Sequence, residues 1–261
     1  MSAIASRPSG GIDTMGIELT DVGFAYGARA VLASVRFHVP DGQIWALVGR
    51  SGSGKTTLLH IIAGLYTPTQ GTVALGGEAS QPGRIKGVVF QDDCLLGWLT
   101  AEQNLLFPAH RRAGPEARTR AERMLEAVEL AGCGDLYPYE MSTGMRKRLE
   151  FARALLADGD HILADEPFGT VDAVTRRNLW TLWRQLRTSH PRTGILCTHD
   201  PEEAIRLCDA VVPLQSGRPS TCGDPFVVPA SIRALDMTEE TEDLWSLKRQ
   251  VIEALKERLH G

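Results

Sequence analysis

What the chain lacks narrows its class before any motif is read. None of its 261 residues falls in an apolar run approaching 18 positions, so no segment is expected to span a membrane. Positive charge is not in excess. Lys and Arg number 28 against 32 Asp and Glu, a formal net charge of −4, and this mild acidity argues against a dedicated DNA or RNA binder. Cysteine is sparse: Cys94, Cys133, Cys197, Cys208 and Cys222 are odd in number and show no C-x-x-C spacing. They read as reduced, buried thiols of a cytosolic protein. Met1 to Gly11 holds one Arg and no apolar stretch, so a secretory signal is not expected. No internal repeat or low-complexity tract is visible. What remains is an ordinary globular composition, 43% hydrophobic and 23% charged. It has enough apolar material to bury the core of one large domain or two small ones.

Along the chain, strand and helix patterns alternate. Residues 1–16, rich in Ser, Gly and Ala, lack periodicity and read as a flexible leader. Val35, Phe37 and Val39 alternate with Arg36 and His38, as in a half-buried strand. After the turn signal Pro40-Asp41-Gly42, the apolar run from Ile44 to Val48 predicts a strand buried on both faces. Thr56 to Leu65 reads as a helix closed by Gly64, Thr72 to Leu75 as a strand, and Val88 to Phe90 as another. From about 95 to 158 the character turns helical. Ala121, Met124, Leu125 and Val128 share one helix face, and Gly132 suits its stop. Strand-like runs return at His161–Ala164, Ile195–Thr198 and Ala210–Leu214. Strands separated by helices predict an α/β fold with a mainly parallel sheet, the 95–158 block being an inserted helical subdomain.

Residues 219–230 hold three prolines and read as a loop. Beyond them Thr238 and Thr241 are candidate N-caps, and Leu244, Leu247, Val251, Leu255 and Leu259 make one amphipathic stripe. A tail from 226 to 261, carrying that helix, is thus expected after a domain of residues 17–225.

Gly49-Arg50-Ser51-Gly52-Ser53-Gly54-Lys55-Thr56 matches G-x-x-x-x-G-K-[ST] between a buried strand and a helix, the context that motif requires. Its glycines let successive backbone N–H groups turn inward onto phosphate oxygens. The helix that follows adds unpaired N–H groups and the positive end of its dipole. Lys55 is expected on the β- and γ-phosphates and the Thr56 hydroxyl on Mg²⁺. His161-Ile162-Leu163-Ala164-Asp165-Glu166 is an apolar strand ending in two carboxylates. Alone, such a pair reads as solvated. In a phosphate-loop protein, 110 residues after Lys55, Asp165 is expected near Mg²⁺ and Glu166 as the general base for an attacking water.

Five more short features narrow this P-loop NTPase, and the full set resembles an ATP-binding cassette (ABC) transporter ATPase. Phe90-Gln91 stands at the family's Q-loop position, and Ser142-Thr143-Gly144-Met145-Arg146 at its signature, 23 residues before Asp165. Thr198-His199-Asp200 stands at the switch histidine, Gly169-Thr170-Val171-Asp172 at the D-loop, and Tyr26 at the aromatic that stacks on adenine. The order and spacing agree from about residue 17 to 218. The resemblance implies a P-loop ABC-type core, with an antiparallel N-terminal β subdomain and the inserted helical subdomain.

It further implies ATP held by Tyr26, Gly49, Arg50, Ser51, Gly52, Ser53, Gly54, Lys55, Thr56, Thr57, Gln91, Ser142 and Gly144. Mg²⁺ would be held at Thr56, Gln91 and Asp165, and catalysis carried by Lys55, Glu166 and His199. In the family Ser142 and Gly144 face the γ-phosphate on a second subunit. A head-to-tail homodimer is therefore implied, peripheral to the cytoplasmic face of the membrane. Integral membrane permease subunits are implied as partners, with a solute-binding protein acting indirectly and no nucleic acid.

The run Gln91-Asp92-Asp93-Cys94-Leu95-Leu96-Gly97-Trp98-Leu99-Thr100 is similar to the nitrate/sulfonate/taurine importer group, as is Pro167-Phe168-Gly169. Leu95, Leu96 and Trp98 suit either a permease contact or the helical core. Two departures bear on activity. Thr143 replaces a signature glycine, and a β-branched residue restricts the backbone there. Met145 replaces a glutamine, though Met is common in that group. A regulatory ABC protein, or a weakly hydrolysing partner in a heterodimer, is the alternative reading. Arg111, Arg112, Arg118, Arg120 and Arg123 read as a solvated helix face balanced by Glu116, Glu122 and Glu126.

Overall fold

The computed structural model describes residues 16–92, 94–107, 115–169 and 171–255. The leader before residue 16, and Asp93, Arg111, Arg112, Thr170 and Leu259, lie outside the described residues. The chain opens with a hairpin of β1 (Ile17–Tyr26) and β2 (Arg29–Val39). Val35, Phe37 and Val39 are buried while Arg36 and His38 face solvent, as the alternation predicts. β3 (Ile44–Val48) leads through the glycine-rich loop into α1 (Lys55–Ile62). β4 (Gln70–Leu75) and β5 (Glu78–Ala79) complete an antiparallel sheet in the order β2-β1-β4-β5.

The second sheet begins with β6 (Gly87–Val89). The chain then leaves it for the helical block of α2 (Ala101–Leu106), α3 (Pro115–Ala127) and α4 (Thr143–Leu156). It returns through β7 (His161–Asp165), α5 (Ala173–Ser189), β8 (Thr193–Thr198), α6 (Pro201–Leu207) and β9 (Ala210–Gln215). The sheet order is β9-β3-β8-β7-β6, with parallel pairing throughout. β10 (Thr221–Cys222) and β11 (Phe226–Val227) add antiparallel to β9. The proline-rich stretch read as loop therefore contributes two short strands, because the edge of β9 offers unpaired backbone groups. Two backbone hydrogen bonds between 31–33 and Ser220 tie the two sheets together.

Strands of the parallel sheet are apolar on both sides because both sides are covered. Leu47, Leu163, Ile195 and Cys197 face a core shared with α1 and the antiparallel sheet. Their neighbours Ala46, Val48, Ala164 and Leu196 face a second core formed with α4, α5 and α6. α7 (Ala230–Ala234) and α8 (Glu242–Ala254) join that second core through Ile232, Leu244, Leu247 and Val251. Thr241, not Thr238, caps α8: its side chain accepts from the Leu244 N–H at 3.3 Å. Thr238 instead bonds back to Asp236.

Helix α3 ends at Ala127, and Glu129 rather than Gly132 takes the left-handed position that closes it. Glu129 takes φ +58°, and the Leu130 N–H donates to the Leu125 carbonyl at 2.7 Å, a Schellman closure without glycine. The Glu129 side chain is itself held by Arg148 and Asn178, which helps a non-glycine residue keep that conformation. Arg118 pairs with Glu102 at 3.5 Å rather than with the glutamates of its own helix.

Trp183 anchors the second core. It is fully buried against Phe151 and Phe168, and its indole N–H donates to the Leu207 carbonyl at 3.3 Å. Trp183→Ala is expected to cost about 3–5 kcal/mol of stability. Urea unfolding followed by circular dichroism measures this, and a loss below about 1 kcal/mol would contradict the packing role.

Candidate functional site

The C-terminal ends of β3, β8, β7 and β6 lie side by side, and the loops leaving them form one cleft, as expected of an open parallel sheet. Two backbone bonds set the heights of these loops. The Gly49 N–H donates to Thr198 O at 3.4 Å and the Glu166 N–H to Cys197 O at 2.9 Å. The cleft encloses about 640 Å³ and is lined by Tyr26, Arg50, Lys55, Thr56, Gln91, Glu166 and His199, among others. Ser51, Gly52, Gly54 and Thr57 also line it. Gly49 and Ser53 are buried and do not line it.

The loop from Gly49 to Gly54 is shaped for close approach. Gly54, at φ +92°, precedes α1, and a Cβ there would lie 2.9 Å from the Leu32 side chain. A Cβ on Gly49 would meet Ser53 Oγ at 2.5 Å. The first-turn N–H groups of α1 face the cleft with no side-chain cap. Lys55 is only 6% exposed, and its Nζ donates to Gly49 O at 2.9 Å and Arg50 O at 3.3 Å. Its ammonium also stands 3.6 Å from Glu166 Oε1.

Glu166 is the pivot. Its backbone sits at φ +47°, a left-handed conformation costing a non-glycine residue about 1–2 kcal/mol. That turn sends its carboxylate between Lys55 and His199, with His199 Nδ1 at 3.3 Å from Oε2. Asp165, the last residue of β7, is buried, and among the described residues neither of its carboxylate oxygens completes a hydrogen bond. Burial raises its pKa and the Glu166 charge adds to this, while Thr56 and Lys55 nearby pull it back. Tyr26 is half exposed. Its hydroxyl is 3.4 Å from Thr57 Oγ1 and its ring meets Phe24 edge-on.

Gln91 is exposed at the cleft, and its backbone is fixed from α4. Lys147 Nζ donates to Gln91 O at 2.7 Å and Phe90 O at 2.8 Å, and pairs with the buried Glu150 at 2.8 Å. Glu150 accepts from the Cys94 N–H, and Arg153 donates to Cys94 O at 2.9 Å. Sequence reasoning missed these three residues. Their only local signal is the three-residue spacing that places them along one side of a helix.

Ser142 and Gly144 are not in this cleft. Ser142 caps α4, accepting from the Met145 N–H at 3.2 Å, and Thr143 is the first residue of that helix. Neither Thr143 nor Gly144 has a positive φ. Thr143 thus sits in ordinary helical backbone at the start of α4. Asp172 caps α5 through the Val174 and Thr175 N–H groups, and those bonds hold its carboxyl below the usual range. Behind His199, Glu203 on α6 was not anticipated. Burial, aided by Asp200, pushes its carboxyl up to about 8 despite a hydrogen bond from Thr198.

The chain matches the family model described as ABC transporter over residues 32–169. It is 39% identical over 220 residues to a sulfate/thiosulfate import ATP-binding protein of Gloeobacter violaceus, covering 82% of this chain and 64% of that one. It therefore spans less than two thirds of that relative's length. It is 39% identical over 232 residues to an aliphatic sulfonates import ATP-binding protein of Burkholderia lata, covering 84% of each. Among solved structures it resembles the dimeric ATP-binding cassette MJ0796 in a post-hydrolysis state with ADP and Pi. The TM-score is 0.73 at 29% identity, over 82% of this chain and 99% of that one.

Glu203 makes stability depend on pH. Its folded pKa lies above its unfolded value, so the folded state holds a proton that the unfolded chain has lost between about 4.5 and about 8. Its contribution is full below pH 4.5 and fades as pH rises through 8. Glu203→Gln is expected to raise the melting temperature relative to the parent more at pH 8.5 than at pH 5. An equal effect at both would remove Glu203 as the titrating group.

Proposed function

The chain belongs to the ABC transporter family, and we propose from that premise that it is the ATP-hydrolysing subunit of an importer for small oxyanions of the sulfate, sulfonate or nitrate kind. The observation that carries this reading is the meeting of Lys55, Glu166, His199 and Gln91 at one cleft, on segments that leave four adjacent strands. The names of the relatives support the importer class.

In this reading the backbone N–H groups of 50–56 and the Lys55 ammonium bind the phosphates, and Tyr26 offers its exposed ring to the adenine. Glu166 holds the attacking water and takes its proton as the new bond to the γ-phosphorus forms. The bond to the β–γ bridging oxygen then breaks toward ADP. The left-handed turn at Glu166 aims the carboxylate, and His199, 3.3 Å away, keeps it there.

Mg²⁺ fits the residues present. Asp165 brings two buried carboxylate oxygens beside Thr56, neither with a completed hydrogen bond among the described residues, and Gln91 faces the same cleft. Among the described residues no group of three His, Cys, Asp or Glu forms a cage. Thr56, Asp165 and Gln91 would thus hold an ion that arrives with the nucleotide. When bound, it supplies charge neutralisation at the phosphates.

Ser142 and Gly144 stand apart from the cleft of their own chain. This supports a head-to-tail homodimer in which the α4 N-terminus of one copy faces the γ-phosphate held by the other. Trp98, 74% exposed in the segment after Gln91, and its neighbour Leu96 suit contact with an integral membrane permease, whereas Leu95 packs inward. The chain would then sit at the cytoplasmic face of the membrane, with a solute-binding protein delivering cargo to the permease.

Steady-state ATP hydrolysis with Mg²⁺ tests the reading. Glu166→Gln is expected to lose at least about 100-fold in rate, the scale of a general base. Turnover at the parental rate would remove Glu166 from that role. In sedimentation equilibrium the same variant with ATP is expected to be a dimer, and a persistent monomer would favour a mixed complex with another ATPase chain.

A further inference from the structure

A second cavity, away from the nucleotide cleft, is lined by Arg184, Arg187, Thr188, Arg206 and Arg233 and encloses about 230 Å³. Four guanidiniums and one hydroxyl surround it, and among the described residues neither a carboxylate nor an apolar side chain lines it. Arg184 and Arg187 come from the second half of α5, Arg206 from the last turn of α6, and Arg233 from α7. No local pattern in the sequence links these positions.

Helix capping accounts for part of this charge. Arg184 donates to Leu235 O at 2.7 Å and to Arg233 O, and Arg187 donates to Leu207 O. Arg187 and Arg233 share a single carboxylate, Asp209. Arg206, buried, is satisfied by Glu202, Glu240 and two carbonyls. Arg184 has no carboxylate within ion-pair distance among the described residues. Burial lowers its pKa, Asp236 offsets this, and Arg206 and Arg187 lower it further.

Each guanidinium carries five N–H donors. Arg184 and Arg187 each make two hydrogen bonds among the described residues and Arg233 one, and the Arg233 Nε is buried without a partner. Planar forks with spare donors, crowded enough to repel one another, match an anion with several oxygens. The absence of apolar lining argues against an acyl chain or an aromatic body. We propose that this cavity binds a free tetrahedral oxyanion of the sulfate or phosphate class, separately from the nucleotide cleft. The anion would relieve the mutual repulsion of the arginines. It would also bridge the far ends of α5 and α6, whose first residues follow the Asp172 and Asp200 caps.

Equilibrium dialysis of the whole chain against labelled sulfate, at fixed ionic strength, tests the site. Saturable binding of one sulfate per chain is expected in the parent and in Lys55→Ala, which disables the nucleotide cleft. Thr188→Glu, at an exposed helical position, places a carboxylate at the cavity and is expected to weaken binding at least about tenfold, as is Arg184→Gln. Circular dichroism checks folding, and Thr188→Glu decides alone if Arg184→Gln unfolds. Three results would overturn the proposal: no saturable binding in the millimolar range, binding indifferent to Thr188→Glu, or binding lost in Lys55→Ala. A fourth is attachment to phosphatidylglycerol vesicles, sensitive to Thr188→Glu, without binding of free sulfate. That would assign the arginines to a lipid headgroup instead.

Discussion

The register between β3, β8 and β7 is the constraint on which the cleft depends. Val48 pairs with Thr198, and Asp165 with Cys197, so the three strands end at nearly one height. The glycine-rich loop, His199 and the carboxylate pair are then released into the same space. A slip of one residue would turn every side chain of a strand to the opposite face. It would move Leu163 and Ile195 from one core into the other and displace Asp165 and Glu166 from the cleft. Because both faces of this sheet are covered by separate cores, the register has no slack.

Charge at the cleft is concentrated and incompletely paired. Lys55 is held by two carbonyls, and Glu166 stands between Lys55 and His199. Asp165 and Glu203 are buried, and burial raises the pKa of each. A buried carboxylate without a partner costs free energy that packing elsewhere must offset. Such groups persist where a ligand completes them. The Asp165 oxygens and the left-handed turn at Glu166 are two such costs on consecutive residues, at the end of one strand.

A second set of charges works differently. The Lys147–Glu150 pair is satisfied within the protein and carries no unfilled valence. It fastens the backbone of Gln91 to α4, the helix that begins at Ser142. The backbone at Gln91 and the helix that begins after Ser142 are thereby mechanically tied. The arginines around Asp209 fall between these extremes: each has capping bonds or a shared carboxylate, and several donors are left over.

Much of the fold was legible because its signals are local. The buried runs at Ile44–Val48 and His161–Ala164, the glycine spacing from 49 to 54, and the face of α3 at Ala121, Met124, Leu125 and Val128 each depend on residues a few positions apart. The errors were also local in kind. Gly132 looked like the stop of α3, but Glu129, steadied by Arg148 and Asn178 from α4 and α5, takes the left-handed position. The prolines of 219–230 hid two short strands, which exist because β9 presents an open edge. By itself the sequence determined the strand and helix types, the phosphate loop and the residue types of the cleft, since backbone geometry and side-chain chemistry are properties of short segments. Only the tertiary structure decided which strand ends are neighbours, that Glu203 is buried, that Lys147 and Glu150 hold Gln91, and that four arginines from three helices share one cavity. Those facts depend on contacts between residues far apart in the chain, whose spacing in sequence carries no period.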